Sequence, residues 1–376
     1  MRVRTGIWIA ALAVACDGSA DVKDDTLDTA PLGPRLPSTT FSATTDFTGT
    51  AELAVDVPAG TLSFLMAAQG PEGTLAYVDR VYDPSGALVY RLEDWYFDHS
   101  DETLSMGVLP IDDTTTLNWP ILDEHGALSP GTWVLHLRDW SGGAADVTFE
   151  GTVQTRLPQT ENTLRALVVY AAGVSDEAEV VEATEAAVQV WADIWSAWGL
   201  SLEVRYAESD VDPDLPNALE PGDALAQVSA MGEDWDVTVI IGETQEGTPY
   251  SVLGSASSIP GPLTAARRSA VLISWPRIAG PDGRFSEDDI GQYGNTLAHE
   301  LGHFAGLTHP VEVGWDRYDA VSDTPRCTTT GLCEAQLGGN LMFPYVMCPY
   351  PYTDCDAQDE LSSGQQTVLL NYTGLL

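Results

Sequence analysis

The segment His299-Glu-Leu-Gly-His303-Phe-Ala-Gly306-Leu-Thr-His309 decides the fold of this chain. Residues four apart on a helix leave the same face about one turn apart, so His299 and His303 can reach one metal ion. Gly306 can adopt the left-handed conformation that ends a helix, and the turn would bring back His309 as a third ligand. This ligand set suits zinc and leaves one coordination position open, as in catalytic zinc sites. Glu300, next to the first ligand, is the candidate general base.

The structural alternative is a solvated helix face that carries two histidines by chance. The short pattern H-E-x-x-H occurs by accident in many helices. Here three of the six histidines of the chain fall within eleven residues. A solvated face requires neither a glycine nor a third histidine at this offset, so the segment favours a metal site.

Length and composition limit the classes of partner. The chain has 376 residues, of which 44% are apolar, and 16 Lys and Arg against 56 Asp and Glu give a formal net charge of −40. Such a charge repels nucleic acid and anionic membrane surfaces, although solubility alone would also account for it. We expect about two or three domains, no nucleic-acid partner and a monomeric protein.

The first sixteen residues are typical of an export signal. Arg2 and Arg4 precede an apolar run over 6–15 that is too short for a membrane helix. The run ends at Cys16, as in bacterial lipoprotein signals, whose cysteine carries the lipid, although Ala13 stands where leucine is usual. An ordinary secretory signal is the alternative. We expect an exported protein that is either anchored in the bacterial cell envelope, with lipid as its one membrane contact, or extracellular.

Two regions follow the signal at 1–16. Residues 17–40 are acidic and contain prolines, which predicts a flexible linker. Residues 41–157 predict an all-β sandwich domain, and turns such as Asp83-Pro-Ser-Gly86 resemble those of small jelly-roll modules. The predicted strands, which turn signals separate, are 51–57, 61–67, 76–82, 87–92, 132–137 and 145–151.

Residues 163–376 predict one α/β domain with a mixed twisted sheet. A long helix over 176–198 carries apolar residues at helical spacing, and a second long helix carries the histidine segment. The other predicted elements are strands over 164–171, 202–206, 235–241, 252–259 and 270–275, and helices over 222–231 and 361–372.

Four cysteines lie close together late in the chain. They are Cys327, Cys333, Cys348 and Cys355. An even number in an exported chain predicts two disulfides, for which three pairings are possible. A second zinc site is the alternative, which the absence of C-x-x-C pairs and an oxidising compartment disfavour.

At this point the chain resembles the metzincin clan of zinc peptidases. The full histidine segment fits the clan, and Met342 in Asn340-Leu-Met-Phe343 resembles the methionine of its Met-turn. Within the clan the chain is most similar to the pappalysin group. The pieces that carry this similarity are Gly254-Ser-Ala256, Ser322-Asp-Thr-Pro325 and Ser363-Gly-Gln-Gln366.

The resemblance implies an exported zinc endopeptidase that acts on a protein or peptide. It implies that zinc activates a water, that Glu300 is the general base and that Met342 forms an apolar floor below the histidines. It also implies that Gly254, Ser255 and Ala256 belong to an edge strand that pairs with extended substrate. Departures are Phe343, where aspartate is usual, and Tyr345, one position beyond the tyrosine of related enzymes.

Three further interpretations remain open from the sequence. Acidic loops near this site bind calcium in relatives, so Asp316, Asp319 and Asp323 are candidate Ca²⁺ ligands, and a solvated loop is the alternative. The chain could be a zinc-binding adhesion or scaffold lipoprotein without activity, although such a protein would most often have lost Glu300. Residues 41–157 could be a removable pro-segment of the enzyme.

Overall fold

A computed structural model describes residues 8–9, 36–98, 101–142, 145–158, 162–211, 223–233, 236–243, 252–348 and 357–376. Cys16, Cys355 and most of the predicted signal and linker lie outside these residues. Among the helices of the described part, none combines the length and the apolar character that crossing a bilayer requires.

Residues 36–158 form two four-stranded antiparallel sheets, and we call this unit the β-sandwich. A two-residue strand, β1 (Trp8–Ile9), precedes it in the chain. The strands of this unit are β2 (Ser38–Thr44), β3 (Thr50–Val57), β4 (Ser63–Gln69), β5 (Ala76–Tyr82), β6 (Leu88–Arg91), the short β7 (Glu102–Thr103), β8 (Thr114–Trp119), β9 (Gly131–Asp139) and β10 (Thr148–Arg156).

The strand order of the β-sandwich is that of a jelly roll. One sheet has the order β2-β10-β4-β8 and the other β3-β9-β5-β6, so that first and last strands pair in each. Along β3, buried and exposed residues alternate, because one face of the sheet packs on the core and the other meets solvent. The two sheets meet where the ring of Phe64 lies 6.0 Å from that of Trp133.

The sequence prediction lacks β2, β7 and β8, and it places the last strand at 145–151, three residues too early for the start of β10. The strand β2 begins at Ser38, inside the predicted linker 17–40, and was missed because it is an edge strand whose side chains are largely exposed. The strand β8 is buried on both faces and lacks the alternation that marks a half-exposed strand. The linker prediction is therefore wrong for residues 38–40.

The described part of residues 162–376 contains a mixed sheet and six α-helices, where the sequence predicts a mixed sheet and four helices. The strands are β11 (Asn162–Ala171), β12 (Leu200–Ser209), β13 (Val237–Gly242), β14 (Gly254–Ala256), β15 (Val271–Ser274) and the short β16 (Tyr318–Asp319). The helices are α1 (Ala178–Ser196), α2 (Asp223–Ser229), α3 (Trp275–Ala279), α4 (Glu287–Phe304), α5 (Thr330–Leu337) and α6 (Ser363–Leu370).

The six-stranded sheet places one short strand at its edge. Its order is β1-β12-β11-β13-β15-β14, with the four central strands parallel and both edge strands antiparallel. The strand β14 is much shorter than the predicted 252–259, because the chain leaves the sheet after Ala256 and turns toward the β-sandwich.

The helices α1 and α4 pack against each other over one face of this sheet. Two tryptophans of α1, Trp191 and Trp195, are fully buried, and the hydroxyl of Thr184 lies 2.9 Å from that of Tyr293 on α4. This packing fixes the helix that carries the first two histidines of the candidate site.

Candidate metal centre

The two ends of α4 are defined by local hydrogen bonds. At its start, the Ser286 hydroxyl accepts from the Asp289 backbone N–H and the Asp289 carboxylate accepts from the Ser286 N–H, a capping box. At its end, Gly306 has a φ of +109°, and the N–H of Leu307 donates to the carbonyl of Gly302 at 2.9 Å. The predicted glycine turn is therefore present, and it redirects the chain toward His309.

The three histidines predicted from the sequence converge. One ligand atom from each of His299, His303 and His309 lies within 4.8 Å of the others, and they are the one such group of three among the described residues. The Nε2 atoms of His303 and His309 are 3.1 Å apart. Two nitrogens on a tetrahedral zinc, each about 2.05 Å from the ion, would lie about 3.3 Å apart. The spacing thus fits a shared zinc ion.

The other ring nitrogen of each histidine meets a protein acceptor. The Nδ1 of His299 lies 2.7 Å from the carbonyl of Leu341, and that of His303 lies 2.7 Å from the carbonyl of Leu307. Since a carbonyl can only accept, these Nδ1 atoms carry the protons and the Nε2 lone pairs face the metal position. The peptide backbone therefore sets the tautomer of both rings.

The third histidine is oriented by a carboxylate that the sequence analysis missed. The Nδ1 of His309 lies 3.0 Å from Oε2 of Glu312, an arrangement that raises the basicity of a metal-binding imidazole. Burial raises the pKa of Glu312, but its hydrogen bond to His309 and the nearby guanidinium of Arg317 outweigh burial and hold that pKa below its usual range. An acid three residues after the last histidine was the available signal.

Burial keeps two of the three candidate ligands, His299 and His303, in the neutral form that zinc requires. It lowers the pKa of His299 to about 3, with a smaller contribution from the charge of His309, and it holds the pKa of His303 well below its usual value. Both imidazoles are therefore neutral at pH 7, and binding a metal to them displaces no proton.

Glu300 lies beside the triad and contacts the edge strand β14. Its side chain is buried, and the backbone N–H of Ala256 donates to its carboxylate. Burial raises the pKa of Glu300 to about 8, which that hydrogen bond partly opposes. A cation held by the histidines would stabilise the charged form further, as a general base at neutral pH requires.

Met342 packs against α4 at Gly302. It is fully buried, and a Cβ added to Gly302 would come 2.7 Å from its sulfur. The Asn340 side chain accepts from the N–H of Met342 at 2.9 Å and donates to Gln365 at 2.7 Å. Gln365 in turn donates to Asp319 at 3.5 Å. Asn340, Met342, Gln365 and Asp319 thus form one hydrogen-bonded network of buried residues next to the histidine helix α4.

A cleft of about 500 Å³ opens over the histidines and Glu300. The edge strand residues Gly254, Ser255 and Ala256 line one wall, so one edge of β14 pairs with β15 and the other faces the cleft. Val313, Leu341 and the residues 343–346 also line the cleft. Tyr345 is among them, but its hydroxyl donates to Glu334 at 2.8 Å.

The cysteine and acidic-loop predictions have separate outcomes. Cys327 and Cys333 form a disulfide with Cα atoms 5.2 Å apart, and Cys348 is also disulfide-bonded. Asp316 is exposed. Asp319 accepts from the Thr324 hydroxyl, and Asp323 accepts from two serine hydroxyls and one N–H of α6. Protein donors thus engage Asp319 and Asp323, and among the described residues the three aspartates do not form a group that could share an ion, so the arrangement lends no support to the predicted calcium site.

No family model matches the chain, and no curated protein matches it. Among solved structures, it is similar to an archaemetzincin from Methanopyrus kandleri, with 19% identity over 41% of this chain and 79% of that one, at a TM-score of 0.28. A metalloproteinase-II from Bacteroides fragilis shares 15% identity over 58% of this chain and 55% of its own length, at a TM-score of 0.30. A zinc-dependent peptidase from Methanocorpusculum labreanum shares 13% identity over 54% of this chain and 100% of its own length, at a TM-score of 0.29.

Proposed function

We propose that this chain is a zinc-dependent endopeptidase of the metzincin type. The observation that carries the proposal is the convergence of the three histidine side chains on one point, with the carboxylate of Glu300 next to them and an open cleft above. A structural zinc site would close its fourth position with a further protein ligand, and no such ligand occurs among the described residues around the triad.

In the proposed mechanism, the histidines, Glu300 and Ala256 have separate roles. His299, His303 and His309 would hold the zinc, which when bound supplies a Lewis acid and an activated water. Glu300 accepts a proton from the attacking water and passes it to the leaving amine. The hydrogen bond from Ala256 keeps the Glu300 carboxylate turned toward the cleft.

The edge strand supports a peptide as the substrate. An extended chain can add along the side of β14 that lines the cleft, where backbone groups rather than side chains supply the hydrogen bonds. Such binding suits an internal stretch of polypeptide, which favours an endopeptidase. The pappalysin pieces and the Met342 network support placing the enzyme near that group.

Export is part of the same proposal. The apolar run that ends at Cys16 and the disulfides of the late cysteines both favour an oxidising compartment outside the cytoplasm. We propose the cell envelope with a lipid on Cys16, or the extracellular medium if an ordinary signal is cleaved.

The test measures cleavage of casein and of a quenched fluorescent peptide library by the zinc-loaded full chain. We expect activity that a chelator abolishes and that zinc restores. Glu300→Gln should keep one zinc per chain and lose about 10²- to 10⁴-fold in rate, the usual contribution of a general base. Glu287→Gln, the same change at an exposed position of α4, is the matched control. A zinc-loaded wild type that cleaves neither substrate would refute the proposal in favour of the silent scaffold.

A further inference from the structure

Thr116 is a fully buried residue of β8 at the boundary between the β-sandwich and residues 162–376, the half that carries the histidines. Its hydroxyl donates to the carbonyl of Pro260 at 2.7 Å, and its Oγ1 lies 3.2 Å from the Oγ of Ser258. A threonine inside a hydrophobic sandwich would normally bond within its own sheet. Here its hydroxyl instead binds a loop of the other half of the molecule.

Two neighbours of Thr116 hold the same loop. The N–H of Gly107 donates to the carbonyl of Ile259 at 2.6 Å, and the Ser105 hydroxyl donates to that carbonyl at 3.3 Å. The contact has no spare room, since a Cβ on Gly107 would come 2.1 Å from Oγ1 of Thr116. Three consecutive residues, 258–260, are therefore held by the β-sandwich.

The segment 258–260 is connected to Glu300 at one end and to the end of α4 at the other. On one side, two residues before Ser258, lies Ala256, whose N–H donates to the carboxylate of Glu300. On the other side, the N–H of Gly261 donates to the carbonyl of Phe304, the last residue of α4. A displacement of this loop would therefore move the donor that aims the general base.

The β-sandwich also contacts the loop 312–318, which begins with Glu312. The short strands β7 and β16 pair, and the N–H of Tyr318 donates to the carbonyl of Asp101 at 2.8 Å. Arg326 forms ion pairs with Asp101 and with Glu102. Tyr318 ends the loop that carries Glu312, whose N–H donates to the carbonyl of Arg317 at 2.8 Å.

We infer that the β-sandwich is a permanent part of the catalytic unit and that Thr116 is a positioning residue for the edge strand and Glu300. This inference rests on the proposed peptidase function. It argues against a pro-segment that leaves on activation, because removal would take the hydrogen-bond donors away from the carbonyls of 259 and 260 and would release the loop 312–318.

The experiment compares three variants of the full chain. Thr116→Val removes the hydroxyl at constant shape, and Thr116→Ser restores it. Thr74→Val is the matched control, because Thr74 is equally a buried threonine of the β-sandwich whose hydroxyl donates to a proline carbonyl, that of Pro71, at 2.8 Å. Per zinc-bound chain, we expect kcat/KM of Thr116→Val to fall about tenfold to a hundredfold, as for a misplaced catalytic group. Thr116→Ser and Thr74→Val should stay within about twofold of wild type, well below that loss.

A second readout is independent of activity. Hydrogen–deuterium exchange of the metal-free protein should show faster exchange over residues 254–261 in Thr116→Val and unchanged exchange there in Thr74→Val. If Thr116→Val does not fold, Ser105→Ala removes the longer of the two bonds to Ile259 and should show the same pattern at smaller amplitude.

Equal activity and equal exchange in Thr116→Val and Thr74→Val would overturn the inference. A wild type without peptidase activity would instead refute the proposed function, and the exchange comparison would still show whether Thr116 holds the edge strand.

Discussion

Gly254 lies so close to Glu300 that a Cβ at position 254 would come 2.8 Å from the Cγ of the glutamate. The same Cβ would come 2.8 Å from a methyl of Ile273 on β15. Because the backbone carbonyl oxygen of Leu272 would also lie 3.0 Å from this carbon, a shift of one side chain alone could not accommodate it. Glycine is thus what allows the edge strand to lie against Glu300.

Gly254→Ala should therefore displace Glu300 without removing a metal ligand. We expect one zinc per chain and a loss of about 10- to 100-fold in kcat/KM, because a shift of about 1 Å in a catalytic group has this effect. Gly291→Ala on α4 is the control, since nothing lies within 4 Å of its added Cβ. The control should stay active and gain about 0.5–1 kcal/mol in stability. Undiminished activity in Gly254→Ala would show that the close approach does not matter.

Glu312→Gln should weaken zinc binding. The carboxylate that orients His309 is lost, and such outer-sphere partners typically contribute 10- to 100-fold in metal affinity. Competition with a chromophoric chelator measures the zinc Kd. Asp316→Asn, an exposed acid of the same loop, should leave the Kd unchanged. Equal Kd values for the two variants would mean that Glu312 does not act through His309.

Asp319→Asn should stabilise the protein in a pH-dependent way. Burial raises the pKa of Asp319 to about 7, so the folded state binds a proton more tightly than the unfolded chain. Its contribution to stability is present at low pH and is lost as the pH rises from about 4 through 7. Relative to wild type, the variant should be equally stable near pH 4 and more stable at pH 8, by about 3–4 kcal/mol.

Urea unfolding of both proteins across this pH range measures the difference. Asp323→Asn should instead be less stable than wild type at pH 8. Hydrogen bonds from Ser362 and Ser363 outweigh burial and lower the pKa of Asp323, so its charged form stabilises the fold. If the difference in unfolding free energy between wild type and Asp319→Asn does not grow with pH, burial does not raise the pKa of Asp319.

Cleavage between the two halves should not separate them. Asn118 of β8 donates to the carbonyl of Asn371 at 2.9 Å and accepts from the hydroxyl of Thr373 at 2.7 Å, and Arg156 donates to the carbonyl of Leu370. After cutting at a protease site engineered between Pro158 and Asn162, both pieces should elute together from a sizing column. Elution as two separate species without denaturant would contradict this.

The histidine triad was predictable because the information is local. Helical periodicity sets the spacing of His299 and His303, and the left-handed turn at Gly306 determines where the chain goes next. The long helix α1 was predictable for the same reason, since its buried residues follow one helical stripe. In both cases a single element carries the whole signal.

The rest depended on tertiary contacts that no local pattern encodes. Glu312 reaches His309 through the conformation of a loop, and the donor to Glu300 is a backbone N–H, which any residue at Ala256 would supply. The strand β8, with its run of threonines, looks like a polar loop because its partner face lies far away in the sequence. The network from Asn340 through Gln365 to Asp319 likewise joins three distant segments.

The most direct test of the central claim is zinc content with X-ray absorption at the zinc edge. We predict one zinc per folded chain, bound by three imidazole nitrogens and one oxygen at about 2.0–2.1 Å, and loss of this signal in His309→Ala. Folded protein that takes up no zinc, or a His309→Ala variant with the same spectrum as wild type, would contradict the account.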